Sequence, residues 1–550
     1  MAKKAKGFGQ KREVPTREAK QLLLAFGERS QTQGEDPEKL EHFVAIKLDE
    51  LNESLLESLP LAFNRLIEQS SPSEQRRIAN IANHFANFLC EFPRGQRWLN
   101  LELSLILYRL NLKIVRRDEF PEDWAATQNN LAAAYLYRIR GERAQNLEDA
   151  IATSQLALQV YTREQFPEQW AMTQNNLAAA YADRIRGERA QNLEDAITAY
   201  QLALQVYTRE QFPEQWAMTQ NNLANAYSNR IRGERAQNLE DAITTYQLAL
   251  QVYTQEQFRE KWAMTQNNLA TAYRDHVRGN VLEHLNTAIT HYELAAEVFT
   301  RDCYPQKWAT NQSNLAEALM KKVSITPETR DLETAVALLR EAIETLAEGS
   351  PDYIDAQYRL GNALSRYYEQ TQNSHDLEQA IQAYTIAVDT ISPEHYDRKQ
   401  IWQAIPATQS ILGSRLVRSG EWQEGLQLLR HSIEQLRNSD DKLAYANALY
   451  QTGRAHEILT DWYNARTKYR DALRIYKHFK EEPGIAKSRL GLGSVLIQQG
   501  YLDKGLHELE QAQELYTQLG QPKKIAEVER LLQLAQRAQQ RTQALSQVNP

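Results

Sequence analysis

Trp170-Ala-Met-Thr-Gln-Asn-Asn-Leu-Ala-Ala-Ala-Tyr181 decides the fold, because the chain says it more than once. The same words return at Trp216–Tyr227 and Trp262–Tyr273, slightly altered at Trp124–Tyr135, and in a more diverged form from Trp308. The five tryptophans stand 46 residues apart every time. So regular an interval means repeated structural units, each burying an apolar face that it cannot bury alone.

Each unit reads as two helices. In the 164–209 copy, Phe166-Pro167 opens helix A, where proline suits a first turn. At 100° per residue Trp170, Thr173, Leu177, Ala178 and Tyr181 share one stripe, the expected packing face. Gly187 supplies a residue able to take a left-handed cap. Asn192, with Asp195 three residues on, is the expected N-cap of helix B. Leu193, Ala196, Ile197, Tyr200, Ala203, Leu204 and Tyr207 form the apolar set of helix B.

Around this core the chain divides as follows. Residues 1–14 carry five positive charges and little to bury, and read as a disordered basic arm. Residues 15–71 read as an N-terminal helical cap, and 72–117 as a diverged earlier copy. The long units run over 72–350. From 351 to 520 the units shorten, with Leu412-Gly413, Thr452-Gly453 and Leu492-Gly493 spaced by 40. Residues 521–541 read as a C-terminal capping helix and 542–550 as a tail. About ten units are expected.

Composition narrows the class. The chain has 550 residues, 42% apolar and 25% charged, with few glycines and prolines, a helix-forming palette. A net charge of -7 gives no general reason to expect nucleic acid. Cys90 and Cys303 make neither a disulfide framework nor a metal site, which points to a reducing compartment. No secretory signal and no membrane-length apolar run is legible, so a cytoplasmic protein is expected. There is no phosphate-binding loop, no HExxH and no Cys/His cluster, and residues 1–71 carry no paired carboxylates. No cofactor, no metal and no catalytic residue is expected, and the chain reads as a non-enzyme.

Leu177-Ala178-x2-Tyr181 followed by Ala196-x3-Tyr200-x2-Ala203 resembles the tetratricopeptide repeat signature. The unit departs from the family's usual length of about 34 residues, so longer helices or a longer A–B loop are expected. The resemblance implies an all-α, right-handed solenoid of helix–turn–helix units whose A helices line a concave groove where partners bind. A similar Asn-Asn-Leu-Ala stretch occurs in kinesin light chains. The tandem 46-residue units also resemble arrays of large bacterial proteins, common in cyanobacteria, that adjoin a CHAT peptidase or an NTPase module.

On the wheel, Met172, Asn175, Asn176, Ala179 and Asp183 face away from the packing stripe. The expected partner-binding groove therefore comprises Asn129, Asn130, Asn175, Asn176, Ala179, Asp183, Asn221, Asn222, Asn225, Asn229, Asn267, Asn268 and Asn314. An asparagine amide both donates and accepts, so it can pair with a peptide backbone whatever its sequence. The alternative is that these amides tie neighbouring helices together. The 164–209 and 210–255 copies differ at only 5 of 46 positions, and 179/225, 182/228 and 183/229 are three of them. All three fall on the helix A groove face, which favours the first reading. A second ladder, Arg138, Arg140, Arg184, Arg186, Arg230, Arg232 and Arg278, reads either as an anion-binding edge or as cations satisfying helix C-termini. The function expected is a protein-interaction scaffold holding a protein or peptide segment. The alternative is a sensor or regulatory subunit of a bacterial effector system of the CHAT or NTPase type.

Overall fold

The computed structural model describes residues 16–29, 42, 44–47, 51–392 and 398–548, with side chains to residue 541. The expected basic arm at 1–14 lies outside the described residues, which form helices and no strand. The chain is an all-α solenoid. It divides into two compact units, Met1–His291 and Tyr292–Pro550.

The first unit opens with helices at residues 16–29 and Ser54–Glu68. Their buried Leu22, Leu23, Phe26, Leu59 and Phe63 form one core with Ile78, Ile81 and Phe85 of the helix Pro72–Glu91. The Phe26 and Phe85 rings lie 4.6 Å apart. Paired helices then follow: Pro72–Glu91 with Arg97–Asn111, Pro121–Leu136 with Arg143–Ala157, Pro167–Asp183 with Arg189–Ala203, and Pro213–Asn229 with Arg235–Ala249. The helix Arg259–Asp275 closes this series, and Val281–Ala296 crosses the division between the units.

In the second unit the pairs are Pro305–Val323 with Thr329–Thr345, Pro351–Thr371 with Ser374–Thr390, and Arg398–Ser419 with Trp422–Arg437. Lys442–Ile458 with Trp462–His478 and Glu482–Gln498 with Leu502–Gln518 complete it. The helix Pro522–Val548 covers the last pair, burying Val528 and Leu532 against Leu509, Ala512 and Tyr516. It overlaps the expected tail at 542–550.

The long repeat owes its length to its connections, not its helices. Helices Pro167–Asp183 and Arg189–Ala203 have 17 and 15 residues, and both helices of the 442–478 pair have 17. The connections at 184–188 and 204–212 replace the three-residue links at 459–461 and 479–481. The longer exit carries its own core. Tyr207, 3% exposed, meets Phe212 at a tilt of 60° with ring centroids 5.6 Å apart, and both belong to one cluster with Trp170, Trp216 and Ala171.

Two local expectations change. Gly187 does have φ +82°, a conformation that only glycine adopts without strain, but it sits in the A–B loop after Arg184 has ended helix A. Asn192 is not the N-cap of helix B, which is Glu188. It is buried one turn inside, where its Nδ2 donates to the Arg186 carbonyl at 2.9 Å and to that of Arg184 at 3.4 Å. The amide folds the long loop back onto helix B and satisfies these two loop carbonyls from within the chain.

Candidate functional site

The packing stripe of helix A is buried as its sequence demands. Thr173 and Ala178 are fully buried, Leu177 nearly so, and Trp170 and Tyr181 half-buried. The opposite face is narrower than a wheel suggests, because each A helix has A helices on both sides as well as its own B helix. Met172 and Asp183 are exposed, and Asn176 and Ala179 half-exposed, but Asn129, Asn175 and Asn221 are buried.

Those three buried amides look sideways into the neighbouring repeat. Thr219 Oγ1 donates to Asn175 Oδ1 at 3.3 Å and Thr265 Oγ1 to Asn221 Oδ1 at 3.2 Å. Asn176 Nδ2 donates to Asn129 Oδ1 at 3.2 Å. The first asparagine of each of these pairs is therefore a tie between repeats and is not available to a partner, a correction to the uniform ladder. Asn267 is half-buried, and in the second unit Asn314 Oδ1 accepts from Arg359 Nη1 at 3.0 Å.

The second asparagine belongs to a different network. Asn87 Oδ1 accepts from Tyr108 OH at 2.7 Å and from Asn130 Nδ2 at 2.9 Å. Three units on, Asn225 Oδ1 accepts from Tyr246 OH at 2.5 Å and from Asn268 Nδ2 at 3.3 Å. One asparagine oxygen thus receives a helix B tyrosine and the next repeat's asparagine.

In the two copies between them that oxygen is missing, because positions 133 and 179 are alanine. The first of these also lacks the tyrosine, with Ser154 in its place, whereas the second keeps both donors, Tyr200 and Asn222. Tyr200, 3% exposed, makes no hydrogen bond through its hydroxyl among the described residues, nor does Asn222 through Nδ2. Both line a cavity of about 350 Å³ shared with Tyr137, Arg143, Ala179, Asp183, Asn225 and Asn229. Burial, with smaller effects from Asp183 and Tyr137, pushes the Tyr200 phenol well above its ordinary range, so it stays a hydrogen-bond donor. At the rim Arg143 Nη2 meets Asp183 Oδ2 at 2.9 Å, and Asn229 Nδ2 donates to the Asn225 carbonyl at 2.9 Å. Five expected groove residues, Ala179, Asp183, Asn222, Asn225 and Asn229, are brought together here. Asn130 lines a neighbouring cavity of about 530 Å³ with Asn87, Tyr108 and Tyr137.

Tyr200 was expected only as core. The signal for its second role is a spacing of 21 residues: Asn87 to Tyr108 and Asn225 to Tyr246 place acceptor against donor, and Ala179 to Tyr200 breaks the rule.

The arginine ladder is mostly occupied within the chain. Arg184 grips Glu148 through Nε and Nη2, both at 2.8 Å, and Arg230 grips Glu194 in the same way. Arg138 does so with Glu102 at 2.8 and 2.9 Å. Hydrogen bonds from Arg184 and Arg230 hold the Glu148 and Glu194 carboxyls below their usual range. Arg140 lies 3.3 Å over the Trp98 ring, Arg186 bonds Gln145 at 2.9 Å, and Arg278 meets Glu234 at 3.1 Å. Arg232 is exposed beside Glu194. The anionic-edge expectation is corrected accordingly for Arg138, Arg140, Arg184, Arg186, Arg230 and Arg278, which fasten their A–B loops to the repeat before. In the fourth long copy the clip changes chemistry, with His276 near Glu240 at 3.5 Å and His276 Nδ1 3.1 Å from His284 Nδ1.

Among the described residues no three His, Cys, Asp or Glu side chains converge to hold a metal ion. No described helix is long and apolar enough to cross a membrane.

The tetratricopeptide repeat family model matches residues 216–252. Among curated proteins no relative matches the chain. Among solved structures, the apo form of RapI is similar at 13% identity, covering 73% of this chain and 99% of its own, with a TM-score of 0.45. A signal transduction ATPase with a tetratricopeptide repeat sensor from Pyrococcus horikoshii is similar at 12% identity, 90% and 74% coverage, and a TM-score of 0.39. The apo quorum sensor NprR from B. thuringiensis is similar at 13% identity, 79% and 99% coverage, and a TM-score of 0.36.

Proposed function

We propose that this chain, a tetratricopeptide repeat protein, is an interaction scaffold whose A-helix face around residues 130–229 receives an extended segment of a partner protein. The observation that carries the reading is the pair of donors left by Ala179. Tyr200 OH and Asn222 Nδ2 both border the cavity at the place where Asn225 supplies an oxygen in the next copy and Asn87 does so two copies earlier. Neither donor has an acceptor within the chain among the described residues, and both face the cavity. A carbonyl or carboxamide oxygen of a partner would accept from them in the complex, each hydrogen bond contributing about 0.5–1.5 kcal/mol net. Recognition then lies in which repeat keeps the tyrosine and asparagine donors but lacks the internal acceptor, and the stacked repeats on either side hold the frame rigid.

The test is an array of random extended decapeptides probed with the full chain. Capture of a defined subset by the parent, lost on Tyr200→Phe with Asn222→Ala while the thermal melt is retained, is the expected result. Equal capture by parent and variant, or no peptide captured at all, would overturn the reading.

A further inference from the structure

The second unit holds a group of cations that outnumber the acids around them. Arg415, Arg418, Arg454 and Lys487 line one cavity of about 480 Å³ against a single acid, Glu369. They come from three successive A helices, Arg398–Ser419, Lys442–Ile458 and Glu482–Gln498. Elsewhere the chain pairs such half-buried arginines, as Arg359 with Glu317 at 2.9 Å and Arg489 with Glu508 at 2.5 Å. Among the described residues Arg415, Arg418 and Arg454 have no ion pair and no hydrogen bond, and the Arg415 Nε is buried without a partner. Lys487 donates to Asn447 Oδ1 at 3.0 Å and lies 5.0 Å from the Tyr450 and Tyr476 ring centres, with no carboxylate in contact. Burial pulls its ammonium below the ordinary lysine value, against the weaker pull of Glu481.

Cations partly removed from water are paired in folded proteins, because an uncompensated one is costly. This cluster leaves that requirement to something outside the chain. We propose that the cavity binds an acidic peptide segment whose side-chain carboxylates pair with Arg415, Arg418 and Arg454. Guanidinium forks match carboxylate and phosphate oxygens alike. The rest of the lining favours a peptide: the amides of Asn447 and Gln451 and the Ser414 hydroxyl both donate and accept, which matches a backbone's paired N–H and C=O, whereas a fully deprotonated anion only accepts. Nucleic acid fits less well, since the chain's net charge is -7 and Tyr368, 8% exposed, offers no open stacking face in the cavity. The proposal stands apart from the Tyr200 cavity and does not depend on it.

The experiment is calorimetric titration of the full chain with acetyl-Glu-Ala-Glu-Ala-Glu-Ala-amide, with its glutamine counterpart, and with inorganic phosphate. The glutamate peptide should bind, weakening with added salt, and the glutamine peptide should bind at least about 10-fold more weakly. Arg415→Gln with Arg454→Gln should lower the affinity for the glutamate peptide by a similar factor. Where that double variant fails to fold, the exposed Arg418→Gln should still weaken binding several-fold. No binding of the glutamate peptide, equal binding of the glutamine peptide, or indifference to these substitutions would overturn the proposal. So would phosphate binding as tightly as the peptide, which would make this a site for a small anion.

Discussion

Arg184 reaches back 36 residues and closes both of its hydrogen bonds on the carboxylate of Glu148, in the B helix of the preceding repeat. The contact is half-buried, with side-chain exposures of 28% and 22%. Glu148→Gln leaves the guanidinium facing a neutral amide and should cost roughly 1–3 kcal/mol. The pH dependence has a definite sign. The carboxyl is held below its ordinary 4.5 in the folded chain, so its contribution is complete above that value and is lost as pH falls through the lower folded value. Glu194 obeys the same rule through Arg230. Thermal melts of the parent and of Glu148→Gln with Glu194→Gln should differ at neutral pH and converge on acidification below about 4.5. Parallel curves across that window would show that the clips do not couple to folding.

Asn175 gives a second stability prediction. Its side chain is 7% exposed and accepts from Thr219 in the next repeat. Asn175→Ala should lower the stability of the first unit by about 1–2 kcal/mol. Asn222→Ala, at a half-exposed position whose Nδ2 is unpaired among the described residues, should be within about 0.5 kcal/mol of the parent. Chemical denaturation of the two variants separates the tie from the contact residue. Equal losses would mean that both asparagines serve packing.

The contrast between these neighbours marks how far the sequence could be read. Periodicity placed every helix pair, because burying Leu177, Ala178 and Ala196 is a property of one repeat and its copies. The wheel failed at Asn175, because it assumes one buried and one open side, whereas an A helix in a stack is covered on three. Arg184 and Glu148 could be seen as charges but not as partners, since the 36-residue reach depends on how the loop folds over Asn192. The unpaired cations Arg415 and Arg454 lie in the less regular repeats, where no copy offers a comparison.

Trp216 began as a period marker and turns out to join two cores. Its half-buried ring packs on Ala171, Ala203 and Tyr207 of one repeat and on Ala217, Ala249 and Tyr253 of its own. Full burial of such a ring would put Trp→Ala at about 3–5 kcal/mol, and partial burial reduces this to roughly 2–3 kcal/mol. Trp216→Ala should also loosen both repeats together, so hydrogen exchange should rise in helices Pro167–Asp183 and Pro213–Asn229 alike. Exchange rising only after residue 212 would confine the ring to one core.

Ala179→Asn tests the cavity from the opposite direction, by adding what the next copy possesses at Asn225. An asparagine oxygen there would stand to Tyr200 and Asn222 as Asn225 stands to Tyr246 and Asn268. Completing the network should stabilise the first unit by about 1 kcal/mol, a rise of roughly 2–4 °C in Tm. It should also weaken partner capture by about 10-fold or more, since the new side chain occupies the place and the donors of the incoming oxygen. Tyr200→Phe separates the two effects. In the parent it should change stability little while reducing capture, and in the Ala179→Asn background it should abolish the gain in Tm. A double-mutant cycle on melting temperature measures that coupling. A coupling near zero would mean that the Tyr200 hydroxyl and residue 179 do not meet, and the acceptor vacancy would then have no part in binding.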